Sequence, residues 1–519
     1  MVEERINLFD KLDPDFYAYG TLPLYLLKAI GQVHDHFFLT KMNNYDGLLY
    51  LGRYLTSGLD ILMMALVVAI TWRITGRKNL SLLSGLCYGL MFFPIQNSNF
   101  FTVDIFVTVS VSVILFGVLS YLKTRRAYWL LLTFVAMGTA LAAKITPIII
   151  IAPALVYLIV LPFLTIDKQT VTKKITTSII TAIIGILLTV SVFGLTMPFA
   201  LIKPQQVIKE VTTQLEMNND AYIFPYTLQY VGTPPYWYYL KNMTLYGTGP
   251  ILFGLAVVGL TVTSIQIIRT KKRQKMWLWL RNLTTQPIVV YLGFNLIYFI
   301  VIGRSAVKFM RYGLPLYPTL AILAGLGLAW ILGHQKLNWS WRRLLVIGLL
   351  ALSTWWTIGF MQIYQKPHPR ITASEWMRTN IPAGSMLAVE HWDDRMPLYG
   401  SERFQYVELP LYEVPDNEAK WQLINSYLDQ SDYLVIASNR LSTPLPKLAD
   451  CNKWKKCYPL TTQYFHQLFA GQRGFQEVAR FNSFPQFWTP FGSFELNDQG
   501  ADESFTVYDH PEVVVFKKK

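Results

Sequence analysis

Residues 104–126 read DIFVTVSVSVILFGVLSYLKTRR. One carboxylate opens the stretch, an uncharged apolar run follows, and three basic residues close it. Wound as a helix at about 1.5 Å per residue, the run is long enough to cross the hydrocarbon of a bilayer. Cytoplasmic loops collect Lys and Arg, so the closing triplet marks the inner side and Asp104 stands at the outer edge.

The same grammar repeats outward in both directions. Apolar runs fall near 55–73, 79–96, 104–122, 127–143, 146–165, 175–199, 249–268, 286–303, 313–333 and 343–363. Basic breaks hold Arg73, Arg77 and Lys78; Lys123, Arg125 and Arg126; Lys168, Lys173 and Lys174; Arg269, Lys271, Lys272, Arg273 and Lys275; and Arg342 and Arg343. They recur at every second break, as alternation across a membrane requires. The other breaks face outward: 97–103, the turn around Lys144, the long stretch 200–248, and 304–312. By the same parity residues 366–519 lie outside.

Composition agrees. Of 519 residues 52% are hydrophobic and only 15% charged, where a soluble chain carries nearer a quarter charged residues. A formal charge of +14 invites a nucleic-acid reading, but the cations sit in short loops between apolar runs, so nucleic acid is excluded as a partner. The three cysteines, Cys87, Cys451 and Cys457, exclude a disulfide framework or a Cys-rich metal site. Cys451 and Cys457 either pair, if their domain is outside, or are two free thiols.

Parity also places residues 1–54 outside. Tyr19–Ile30 is too short to span and carries Pro23 and Lys28, so it reads as an amphipathic helix along the outer surface. An outside amino terminus predicts one further membrane helix ahead of Met1.

Ionisable groups at the membrane edge cost about 2.5–3.5 kcal/mol each to insert, so each needs a reason. Asp104 opens the third run, Lys144 occupies an outward turn of almost nothing else, and Lys308, Arg311 and Tyr312 close the outward turn before the ninth run. One carboxylate and three cations at one level fit an anionic ligand with a base nearby; taken singly, the cations fit snorkelling to lipid phosphates. Arg53 and Asp60, two helical turns apart on one face, read as structural. In the outward stretch 200–248, Tyr226, Gln229 and Tyr230 belong to a set of rings and amides that serves equally as an interface belt or as cover for a sugar.

After residue 365 the sequence turns globular. Helix signals at Ala373–Thr379, Glu418–Leu428 and Tyr464–Ala470 alternate with strand signals at Ser385–Glu390, Tyr433–Ala437, Phe475–Phe481 and Val513–Phe516. This predicts a small α/β domain. Glu390, His391, Asp393 and Asp394 fall at a strand end, a usual place for ligand-binding residues.

Six segments in order, Tyr19–Leu26, Phe100–Asp104, Pro225–Tyr230, Lys308–Tyr312, Glu390–Asp394 and Val507–Pro511, resemble the phospholipid carrier-dependent glycosyltransferases, a bacterial and archaeal family. That family is related to the protein O-mannosyltransferases and the lipid A aminoarabinose transferases. The resemblance implies a polytopic α-helical membrane protein with a GT-C-like core at 55–365 and an extracytoplasmic α/β domain at 366–519. It also implies a polyprenyl-phosphate-linked sugar as donor, an acceptor protein, lipid or glycan on the outer side, and residence in the cell membrane. Asp104 matches the second acidic position of the family and is the candidate catalytic residue. Lys144, Lys308, Arg311 and Tyr312 are the candidate carrier-phosphate residues. The family's first acidic segment follows an initial membrane helix and is not matched by Asp10, Asp13 or Asp15, so that acid is expected ahead of Met1. No metal ligand set is evident; a divalent cation is compatible with the chemistry, but nothing in the sequence requires it.

The number of spans also fits a transporter or flippase of a lipid-linked anion. Such proteins place polar groups near the midplane on broken helices in repeated halves, whereas the charges here gather at the outer edge. A natural start at Met1 would instead fit an inactive relative.

Overall fold

The computed structural model describes residues 13–38, 40–165, 170–271, 275–335 and 338–519. Asp10, Lys168, Lys272 and Arg273 lie outside the described residues.

The chain is mostly helical up to Met361: α1 (Leu22–Phe38), α2 (Tyr45–Thr75), α3 (Lys78–Gly89), α4 (Phe92–Ser98), α5 (Val103–Thr124), α6 (Tyr128–Leu141), α7 (Ile148–Leu164), α8 (Val171–Thr196), α9 (Pro250–Lys271), α10 (Pro287–Arg304), α11 (Tyr317–Gly333) and α12 (Trp339–Met361), with shorter pieces between. Seven helices among the described residues are long and apolar enough to cross a membrane, and α6 and α7 are shorter apolar helices. The run at 79–96 is not one helix. It divides at Leu90–Met91 into α3 and α4, because Pro94, third in α4, has no N–H to give to the Leu90 carbonyl. α1 forms where the sequence places a surface helix, but is longer, running on to Phe38.

The chain forms two compact units. One contains residues up to Leu215, Pro235–Ser305 and Arg311–Thr354; the other contains Glu216–Pro234, Ala306–Met310 and Trp355–Lys519. Two segments of the expected membrane core, one from the stretch 200–248 and one from the turn before the ninth run, thus cluster with the sheet domain. The Ala306 N–H donates to the Asn218 carbonyl at 2.8 Å, which ties the two segments to each other, and Gln229 ties the first of them to Glu503.

In the second unit a five-stranded sheet has the order β2-β1-β3-β7-β4. Its strands are β1 (Met386–Glu390), β2 (Gln405–Leu409), β3 (Tyr433–Ile436), β4 (Phe475–Phe481) and β7 (Val513–Lys518). β1 runs parallel to β2 and β3, while β7 is antiparallel to β3 and β4. β1, β3, β4 and β7 and the helices α13 (Pro369–Asn380), α14 (Glu418–Gln430) and α15 (Pro459–Phe469) match the sequence expectation. β2 and a separate hairpin, β5 (Gln486–Thr489) with β6 (Gly492–Glu495), were not legible. Two apolar cores flank the sheet, one with Trp421, Tyr464 and Phe516, the other with Met377, Leu387 and Val515. Cys451 and Cys457 form a disulfide, and Cys87 is a buried free thiol.

Candidate active site

In the membrane unit the chain ends of three helices bring one carboxylate and two cations together. Asp104 lies in the first turn of α5, where a carboxylate faces unpaired backbone N–H groups. Lys144 stands in the turn between α6 and α7, its own N–H donating to the Ala140 carbonyl as α6 ends. Arg311 and Tyr312 sit in the 3-10 turn Met310–Leu316 that leads into α11.

The Lys144 ammonium donates to Asp104 Oδ1 at 2.9 Å, and Arg311 Nε lies 3.5 Å from Asp104 Oδ2. Each carboxylate oxygen therefore holds a different cation. The Lys144 Nζ also lies 4.3 Å from the Tyr312 ring centre and 5.4 Å from that of Tyr19, within the range of cation–π attraction. Tyr312 is fixed in turn, its carbonyl accepting from the Tyr298 hydroxyl at 2.9 Å. Lys144 and Asp104 are buried; the Arg311 side chain is the most accessible of the three, at 20%. Two cations and one carboxylate leave a surplus positive charge in a poorly hydrated place.

Tyr19 reaches this cluster because the chain passes Ala142 at backbone contact. Gly20 N–H donates to the Ala143 carbonyl and Leu22 N–H to that of Ala142. A Cβ at position 20 would lie 1.9 Å from the Ala142 oxygen, so only glycine fits. Tyr19 and Tyr298 were given no site role from the sequence, although Tyr19 opens one of the six segments that carry the family resemblance; the Tyr19-Gly20 pair beside an apolar helix was the available signal.

Beyond the turn at 310–316, an apolar cavity of about 680 Å³ lies between α9, α10 and α11. Met243, Phe253, Phe299 and Leu316 line one end, and Ile267 and Val289 line the other. From Phe253 to Ile267 the helix rise is about 20 Å.

The remaining sequence candidates lie in the second unit. Lys308 is buried and donates to the Thr233 hydroxyl at 3.2 Å and the Ala306 carbonyl at 3.3 Å; burial lowers its pKa. No carboxylate among the described residues forms an ion pair with it. Gln229 is paired at both ends of its amide with Glu503, and the Tyr230 hydroxyl donates to Asp502 at 3.0 Å. Tyr226 stacks on Phe224 at 5.4 Å. Gln229 and Tyr230 secure segment 225–230 to the sheet domain.

At the end of β1, Asp393 accepts from Arg370 at 2.9 Å and from the Ser438 hydroxyl at 2.5 Å, and Asp394 also pairs with Arg370. Arg440 bridges from the Trp392 carbonyl to Glu503, which burial raises to about 7. Trp392 itself has a left-handed backbone, φ 74°. His391 is bonded through its backbone to Leu409, and its ring lies 5.4 Å from that of Trp392. Glu390 is buried with neither oxygen hydrogen-bonded, and desolvation raises its pKa well above the carboxylate range. Asp393 and Asp394 are thus engaged by internal cations that lie in other elements. Among the described residues no three or more His, Cys, Asp or Glu side chains group as metal ligands. Asp60 accepts from the Tyr88 hydroxyl at 2.7 Å, and Arg53 is exposed.

Residues 57–193, which include Asp104 and Lys144, match the family model of dolichyl-phosphate-mannose-protein mannosyltransferases. No curated protein sequence matches the chain. Among solved structures, the chain is similar to the oligosaccharyltransferase AglB from Archaeoglobus fulgidus, in complex with an inhibitory peptide and a dolichol-phosphate. The identity is 12% and the TM-score 0.47, over 93% of this chain and 67% of that one. It is also similar to ArnT from Cupriavidus metallidurans bound to undecaprenyl phosphate, at 14% identity and TM-score 0.40, over 70% of this chain and 62% of that one. The apo form of ArnT gives 14% identity and TM-score 0.36, over 84% and 85%.

Proposed function

We propose that this chain is a membrane glycosyltransferase that moves a sugar, with a mannosyl-type hexose as the first candidate, from a polyprenyl-phosphate carrier to an acceptor on the extracytoplasmic side. The observations that carry the reading are the Asp104–Lys144–Arg311 cluster, with its surplus positive charge, and a long apolar cavity to which the turn that carries Arg311 contributes Leu316. A ligand with a charged phosphate and a hydrocarbon tail is the chemistry that uses both. The family-model match over residues 57–193 supports it.

In the reaction the acceptor oxygen bonds to the anomeric carbon, the bond from that carbon to the phosphate oxygen breaks, and the acceptor proton passes to a base. Negative charge grows on the departing phosphate. Arg311 can grip two phosphate oxygens in a fork, and Lys144 supplies a point charge. In a site of low dielectric such fixed cations act more strongly than in water. Asp104 holds both cations in place. It also remains the candidate base among these residues, although taking a proton requires one cation to leave its oxygen.

The test is transfer from a radiolabelled polyprenyl-phosphate hexose in purified, detergent-solubilised protein. Arg311→Ala and Asp104→Asn should each lower turnover by about 100-fold or more while elution on gel filtration is unchanged. Wild-type turnover in both variants would overturn the site. Movement of the lipid across sealed vesicles without sugar transfer would favour a flippase instead.

A further inference from the structure

The hairpin β5–β6 gathers exposed aromatic rings on one short, uncharged stretch of the sheet domain. Residues 486–494 read QFWTPFGSF, with no charge among them. Phe491 at the turn is 99% exposed, Trp488 48% and Phe494 49%. Large rings at such exposure are costly in water and mark a surface that meets something apolar.

The contacts of the hairpin show which way it points. The Ser483 hydroxyl, just ahead of β5, donates to the Ile363 carbonyl, just beyond α12, at 2.9 Å. Farther along β5, Phe487 packs on Phe360 and Trp356 of α12, so closely that a Cβ at Gly359 would lie 2.2 Å from its ring. Next, the Trp355 indole donates to the Trp488 carbonyl at 2.7 Å. Later strand residues meet earlier helix residues, so β5 runs back along α12. From Ile363 to Trp355 the helix rises about 12 Å. The tip at Pro490-Phe491 therefore points into the depth that α12 crosses. At the base, the one charged residue of β6, Glu495, pairs with Lys366 at 2.6 Å beyond the end of α12. Charge lies at the base and bare rings at the tip.

We propose that the β5–β6 hairpin dips into the lipid of the leaflet in which α12 ends and anchors the sheet domain to the bilayer through Trp488, Phe491 and Phe494. Lipid is the occupant because α12, a membrane-length helix, fixes the depth of its neighbour. Depth is limited by the backbone. A two-stranded hairpin has unpaired N–H and C=O groups on both edges, which hydrocarbon cannot satisfy. The tip thus rests at the boundary of headgroups and acyl chains, where aromatic rings partition well. The inference requires α12 to span the membrane and is independent of the sugar-transfer reading.

The test uses the full chain in lipid nanodiscs. Phe491→Cys in a Cys87→Ser background, with the Cys451–Cys457 disulfide left intact, takes one environment-sensitive fluorophore. Gln430→Cys is the control. Arg370, at the start of α13, bonds the Ala437 carbonyl just past β3, so Gln430, ahead of β3, lies at the opposite end of that strand. The label at 491 should emit at shorter wavelength, resist iodide several-fold better than the label at 430, and be quenched by lipids brominated near the carbonyl end of the acyl chain. Iodide quenching equal to that at 430 overturns the proposal. So does shielding from iodide without quenching by brominated lipid, which is the signature of a protein partner or a second copy.

Discussion

His510 is fully buried between two carboxylates, its Nε2 2.9 Å from Asp498 and its Nδ1 paired with Asp509. Burial alone would lower its pKa, but the carboxylates win and raise it from 6.5 to about 10. The imidazole is therefore a cation in the folded domain at neutral pH. A raised pKa contributes stability that is complete below about pH 6.5 and is lost as pH climbs through about 10. At about 1.4 kcal/mol per pH unit the pairing is worth at most about 5 kcal/mol. Thermal unfolding of the detergent-solubilised protein should show the sheet domain melting lower as pH rises from 7 to 10. His510→Ala should cost about 3–5 kcal/mol at pH 7, because two carboxylates stay buried without their cation, and the alkaline slope should flatten. An unchanged slope in the variant would refute the assignment. Single residues were the least legible part of the sequence. Asp393 and Asp394 looked like free ligands at a strand end, yet Arg370, 23 residues away on α13, engages both. A string of residues does not show which carboxylate an internal cation already holds. Asp104 was legible because a carboxylate at a membrane edge is rare, whatever its partner.

Helices were legible as apolar runs and strands as short apolar stretches, but neither signal reports continuity or close approach. The run at 79–96 has the length of a span, yet Pro94 divides it. β2, Gln405–Leu409, was missed because its outward residues leave too few apolar ones to stand out. The tightest helix crossing was equally silent. A Cβ at Gly259 on α9 would lie 1.9 Å from the Leu323 carbonyl oxygen of α11, and one at Gly327 on α11 would lie 2.3 Å from that of Leu255. In a bilayer, helices gain nothing from apolar burial between themselves, so close packing at small residues is what holds them. Gly259→Leu and Gly327→Leu should each force these helices apart. The yield of monodisperse protein on gel filtration should fall several-fold in both. Gly254→Ala, on the same helix with open space at its Cβ, should retain wild-type yield. Equal behaviour of all three would show that the crossing is not a point of tight packing.

For the whole molecule, the charge pattern predicts an orientation, whereas unit boundaries were not legible in the sequence. Lys and Arg clusters are a local property of the sequence, so alternation can be read break by break. The joining of segments 216–234 and 306–310 to the sheet domain depends on distant partners, such as Gln229 on Glu503 and Tyr230 on Asp502, with Ala306 on Asn218 linking the two segments. No local count reveals them. The orientation itself makes a prediction that separates side from fold. Cys451 and Cys457 are paired, a bond that persists in oxidising compartments and is rare in the cytosol. Arg126 is exposed in a basic break that the charge pattern assigns to the cytoplasm. In intact cells, a membrane-impermeant reductant followed by an impermeant maleimide should label Cys451 and Cys457 in a Cys87→Ser background. With both of those cysteines replaced by serine and Arg126→Cys introduced, labelling should appear only after the membrane is permeabilised. The reverse pattern would place the sheet domain inside and remove the extracytoplasmic acceptor from the proposed reaction. It would leave the membrane helices and the Asp104–Lys144–Arg311 cluster standing, because their geometry does not depend on which side they face.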